Sequence, residues 1–71
     1  MPYYNLLVVD VNRTLATAAA NREDALANFG KELGLRLTLD DQGLPAPYLL
    51  DEWHEGPHWV NPTIPVFLVS N

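Results

Sequence analysis

Cysteine is absent from this 71-residue chain. Its absence excludes disulfides, thiolate metal sites and cysteine nucleophiles together, and it is compatible with a reducing compartment. Serine is nearly absent too: Ser70 is the only one, one residue from the end, which leaves no place for a Ser-His-Asp triad. The four glycines are scattered, so no glycine-rich phosphate cradle exists. No apolar run approaches the ~20 residues needed to span a bilayer. No basic segment precedes the apolar stretch near residue 3, so a cytoplasmic location is expected. Positive charge is scarce: four bases stand against nine acids, for a formal charge of −5. That balance argues against direct binding to nucleic acid, which requires a basic face, and permits docking onto a basic protein surface.

What remains is enough for one small domain. A chain of this size buries only about 60% of the surface it exposes when unfolded. Here 48% of the residues are hydrophobic, including two Trp, three Tyr and two Phe. A folded domain is therefore expected, and a homodimer would widen its stability margin.

Tyr3 to Val11 (YYNLLVVDV) reads as a central strand, apolar on both faces. A turn around Asn12, a residue that tolerates positive φ, leads into a second strand over Arg13 to Ala19. Asn21 then offers a helix N-cap, with Glu23 and Asp24 in the first turn, where negative charge meets the positive end of the dipole. Ala25, Leu26, Phe29 and Leu33 form the apolar stripe, and Gly34 stops the helix. Gly30, unfavourable inside a helix, is expected to permit close approach to the sheet. Leu35 to Leu39 alternates with period two and reads as a third strand. After the Asp40–Gly43 turn, Tyr48 to Trp53 and Val66 to Ser70 supply two more, separated by a loop over 54–65. The predicted fold is α+β: a single helix packed on a small antiparallel sheet, in the order β-β-α-β-β-β. The helix is expected to bury Leu26, Phe29 and Leu33 against Leu7, Val9, Leu37, Leu49 and Phe67.

His54-Glu55-Gly56-Pro57-His58 spells the H-E-x-x-H zinc signature. That chemistry needs a helix, which brings both imidazoles to one face while the glutamate activates the metal-bound water. Pro57 forbids it: its ring clashes with the carbonyl four residues back, a cost of about 3 kcal/mol or more. No Asp, Glu, His or Cys follows His58 to act as third ligand. A loop site from Asp51, His54, Glu55 and His58 is the remaining metal option, and a solvated acidic loop is the simpler reading, so no metal or cofactor is expected. Asp10, Asn12 and Thr14 resemble the D-x-D-x-T nucleophile motif of haloacid-dehalogenase-like hydrolases, with Asn in place of the second Asp. The chain lacks room for that doubly wound domain, and a hairpin turn accounts for these residues. No catalytic residue is therefore assigned.

The acidic-aromatic run Asp51-Glu52-Trp53-His54-Glu55 is the strongest candidate for recognition. A strand alternating acids and aromatics presents carboxylates on one face and anchors on the other; aromatics dominate interface energetics, and acids select basic partners. Asp40 and Asp41 extend the acidic surface, and Tyr48 or Trp53 would serve as anchor. In size, acidity and architecture the chain resembles small phage- or mobile-element-encoded inhibitors, particularly anti-CRISPR proteins. That resemblance implies a non-enzymatic module docking on a basic, nucleic-acid-binding surface of a CRISPR effector subunit. Asp40, Asp41, Asp51, Glu52 and Glu55 would then stand in for phosphates. The predicted hairpin followed by a helix also resembles the start of HicB-type antitoxins, without their glycine-rich strand, which implies an accessory or antitoxin-like subunit instead.

Overall fold

The computed structural model describes residues 2–53 and 63–69. One helix lies on a five-stranded sheet, the predicted α+β class. The strands are β1 (Tyr3–Val8), β2 (Arg13–Ala18), β3 (Leu37–Thr38), β4 (Tyr48–Trp53) and β5 (Ile64–Leu68), and the helix is α1 (Arg22–Leu33). Their spatial order is β2-β1-β4-β5-β3, and every neighbouring pair is antiparallel.

The local signals act as expected at the hairpin and the helix ends. Asn12 takes φ 51, the left-handed conformation a short polar side chain tolerates, and Val8 pairs with Arg13 across the turn. Asn21 is extended, and its Oδ1 accepts the Asp24 N–H at 2.9 Å. Gly34, at φ 72, ends the helix, and the following Leu35 N–H donates back to the Gly30 carbonyl at 2.8 Å. A Cβ at Gly30 would lie 2.5 Å from the Leu35 carbonyl oxygen. The glycine thus admits the returning chain rather than the sheet itself.

Four strands differ in extent from the sequence reading, β2 by a single residue, since it ends at Ala18 rather than Ala19. β1 stops at Val8 because residues 9 to 12 form the turn. β3 keeps only Leu37 and Thr38 of the expected five residues. β5 starts at Ile64, taking Ile64 and Pro65 from the expected loop.

The larger correction concerns which face is buried. The core holds Tyr4, Leu6, Leu15, Tyr48, Leu50 and Val66 from the sheet, against Ala25, Leu26 and Phe29 of the helix. Leu7 and Leu49 therefore belong to the opposite face, and Val9 is exposed. Phe67 is buried, but it follows Val66 and so points away from the helix. Leu37 and Leu33 do pack against the core as expected. The reason lies in the register. Leu15 is the one bulky apolar side chain of β2, and it pairs with Leu6, which in turn pairs with Leu50. Burying Leu15 selects one parity for three strands at once.

Candidate functional site

β4 divides the acidic-aromatic run between the two faces of the sheet. Tyr48, Leu50 and Glu52 point to the helix side, while Leu49, Asp51 and Trp53 point to the other. The expected split of carboxylates from aromatics does not occur: each face receives one acid and one aromatic.

On the helix side, Glu52 is buried beside its cross-strand neighbour Tyr4. Arg22, the first residue of α1, reaches down from the helix, and its Nε donates to Glu52 Oε2 at 2.9 Å. The Glu52 side chain is only 10% exposed, whereas that of Arg22 is 41% exposed. Burial, the Glu52 charge and a hydrogen bond to Glu52 hold the Tyr4 hydroxyl above its ordinary pKa. The same carboxylate, through its hydrogen bond, raises the Arg22 guanidinium. Arg22 and Glu52 compensate each other's charge, with the uncharged Tyr4 phenol beside them, in an open cleft bordered by Pro2, Asn21 and Glu23. Glu52 is therefore committed to the fold, not displayed as a phosphate stand-in, and the buried Tyr48 is a core residue rather than an exposed anchor. Neither Tyr4 nor Arg22 stood out in the sequence; Arg22 and Glu52 are thirty residues apart, and no local pattern links them.

The opposite face is the one the helix does not cover. Asp51 lies beside Asn5 of β1, Trp53 beside Tyr3, and Leu49 beside Leu7. Asp51 and Trp53 are half-buried, and Tyr3 is 57% exposed. Asp51 Oδ1 accepts the Thr63 hydroxyl at 3.1 Å, which orients the carboxylate within the sheet face. Beyond β1 the same face continues through Thr14, Ala16 and Ala18 of β2, all small and exposed. A carboxylate framed by aromatic and aliphatic side chains can seat a basic side chain while the apolar surround excludes water.

Asp40 and Asp41 are exposed in the loop that follows β3, at the far edge of the sheet from β2. Both take part in turn chemistry. The Asp40 N–H donates to Thr38 Oγ1 at 3.1 Å, and the Gly43 N–H donates to Asp41 Oδ1 at 2.7 Å. His54, Glu55, His58 and Trp59 lie outside the described residues, and with them the zinc-like motif. Among the described residues, no three His, Asp or Glu side chains are grouped to hold a metal ion, and no helix is long and apolar enough to cross a membrane. No protein-family model, curated protein or solved structure matches the chain, so the site is read from its own geometry.

Proposed function

We propose that this chain is a non-enzymatic protein-binding module that docks on a basic surface through the sheet face opposite the helix. The observation that carries the reading is Asp51, held by Thr63 and framed by Tyr3, Leu7, Leu49 and Trp53 on a face the helix does not cover. Aromatic anchors around an oriented carboxylate suit an arginine- or lysine-bearing partner. The net charge of −5 steers the chain toward such a surface and away from nucleic acid. The biological form that fits best is an acidic inhibitor of the phage- or mobile-element type, one that occludes the nucleic-acid-binding surface of an effector such as a CRISPR complex. Asp51 and Trp53 are its central contacts. Asp40 and Asp41, at the sheet's far edge, belong to the acidic rim.

The test is displacement of target DNA from a purified, guide-loaded CRISPR effector, followed by mobility shift. The native chain should displace the DNA, and Asp51→Lys and Trp53→Ala should each lose at least about tenfold in potency while remaining folded. DNA binding unaffected by saturating native chain defeats the occlusion reading. Displacement that survives both substitutions defeats the assignment to this face.

An accessory-subunit or antitoxin-like role is the second reading, and the β1–β2 hairpin running straight into α1 favours it. Under that role the chain would form a stoichiometric complex with a co-expressed genomic neighbour and leave DNA targeting unchanged.

A further inference from the structure

The two edges of the sheet are treated differently. At one edge β3 is only two residues long, and β5 carries Pro65. Both are devices that discourage strand addition. At the other edge β2 runs for six residues with unbroken one-to-one pairing to β1, and it contains no proline, lysine or bulge. Its Thr14, Ala16 and Ala18 are exposed, and among the described residues no further strand lies beside it.

Two hydrogen bonds fix which backbone groups this edge presents. The Ala19 N–H donates to the Pro2 carbonyl, and the Val9 N–H donates to the Pro47 carbonyl. Antiparallel pairs alternate between bonded and non-bonded. Both bonds therefore direct Tyr4, Leu6 and Val8 of β1 toward β2, and Asn5, Leu7 and Val9 toward β4. On β2 the inward-bonded residues are then Thr17, Leu15 and Arg13, the partners of Tyr4, Leu6 and Val8. The N–H and C=O groups of Thr14, Ala16 and Ala18 face outward, and among the described residues no strand pairs with them.

That outward set is symmetric about Ala16. We infer that β2 pairs antiparallel with β2 of a second copy of this chain, centred on Ala16 against Ala16, to form a two-fold dimer with one continuous sheet. Thr14 of each copy then lies opposite Ala18 of the other, and the three pairs exchange about six hydrogen bonds. The side chains on the mating residues are a threonine and two alanines, so no bulk obstructs a spacing of about 4.8 Å. An isologous contact requires this kind of self-complementarity.

Charge also favours a second copy. The only charged residue of β2 is Arg13, and its side chain shares the helix face with Leu15. In the paired register it lies opposite Ala19 of the other copy. On that face α1 turns Asn28 toward the edge, where its Nδ2 donates to Thr17 Oγ1 at 3.2 Å. Asp24, one helical turn earlier, shares that side of the helix. Each Arg13 thus approaches the acidic first turn of the other copy's helix, and the two arginines sit at opposite ends of the interface.

The experiment is sedimentation of the full chain across a wide concentration range, with native chain, Ala16→Pro and Arg13→Glu. Proline at position 16 removes only an outward-facing N–H, a location where edge strands accept it. It should leave the helical circular-dichroism signal intact while weakening the dimer at least about tenfold. Arg13→Glu should weaken it in the same direction. Register is read separately. Because the chain lacks cysteine, Ala16→Cys should give a disulfide-linked dimer on mild oxidation. Thr14→Cys should not, since its two copies would lie about 13 Å apart along the strands. A native chain that stays monomeric at every concentration overturns the inference. So does a dimer that survives Ala16→Pro with the fold intact, or one that cross-links through Thr14→Cys rather than Ala16→Cys.

Discussion

Arg22 Nε lies 2.9 Å from Glu52 Oε2, and this pair ties the first residue of the helix to a central strand of the sheet. The two partners are not equivalent. Glu52 is nearly sequestered while Arg22 keeps access to solvent, so losing the cation strands a buried carboxylate, whereas losing the carboxylate leaves a cation that water can still hydrate.

Arg22→Ala should therefore destabilise more than Glu52→Gln. The expected losses are about 2–3 kcal/mol for the first and about 1–2 kcal/mol for the second, because Gln still accepts a bond from Arg22 or Tyr4. Urea unfolding of both variants gives the comparison. Equal losses would mean that the pair contributes through packing rather than charge.

Tyr4 gives the fold a pH limit on the alkaline side. Its pKa is higher in the folded chain than in the unfolded one, chiefly through burial and then through the neighbouring Glu52 charge. The folded state therefore binds the proton more tightly. This contribution is fully present below the unfolded pKa of 10.0 and is lost as pH rises through the higher folded value. Stability should fall with pH above about 10, and Tyr4→Phe should flatten that fall. Denaturant midpoints measured between neutral and strongly alkaline pH would show it. An unchanged alkaline slope in Tyr4→Phe would assign the effect elsewhere.

Gly30→Ala sets helix propensity against sterics. Alanine gains up to about 1 kcal/mol inside a helix. The added Cβ, however, would meet the Leu35 carbonyl oxygen at 2.5 Å, and that atom belongs to the backbone. Moving it disturbs the Leu35 N–H bond to the Gly30 carbonyl as well. The clash should win, with a net loss of about 1–2 kcal/mol. Thermal unfolding that shows stabilisation instead would indicate that the residue 34–36 segment shifts freely.

The choice of buried face is tested by adjacent leucines. Leu6 is fully buried between Leu15 and Leu50, so Leu6→Ala should cost about 2–5 kcal/mol. Leu7 lies on the face opposite the helix and is only half-buried, so Leu7→Ala should cost about 1 kcal/mol or less. Chemical denaturation of the two variants separates the faces, and the reverse ranking would mean that the helix packs on the other side.

The residues that acted as predicted are those whose signals are satisfied within a few positions. Asn21 caps α1 through the Asp24 N–H three residues on, Gly34 supplies the left-handed stop, and Asn12 supplies the hairpin's positive φ. Together with the strand-like runs they fix one helix and several strands, hence the α+β class. The parity of β1 was not legible in YYNLLVV, which is apolar on both faces. One clue was present in β2, where Leu15 stands alone among small residues and commits its strand to one face.

For the candidate site, the sequence placed an acidic-aromatic strand at Tyr48 to Trp53 but not the meaning of its acids. Asp51 and Glu52 are chemically similar and adjacent. Pairing with Tyr4 and with Arg22 from the distant helix sends Glu52 into the interior, while Asp51 stays on the face opposite the helix with Thr63. Sequence alone determined the kind and order of the elements and the ends of the helix, because capping, turn chemistry and period-two runs are short-range. Only the tertiary structure decided the strand order, the buried face, the fate of each carboxylate and the exposed edge of β2. Those depend on contacts between residues far apart in the chain, whose free energies enter only when the sheet closes.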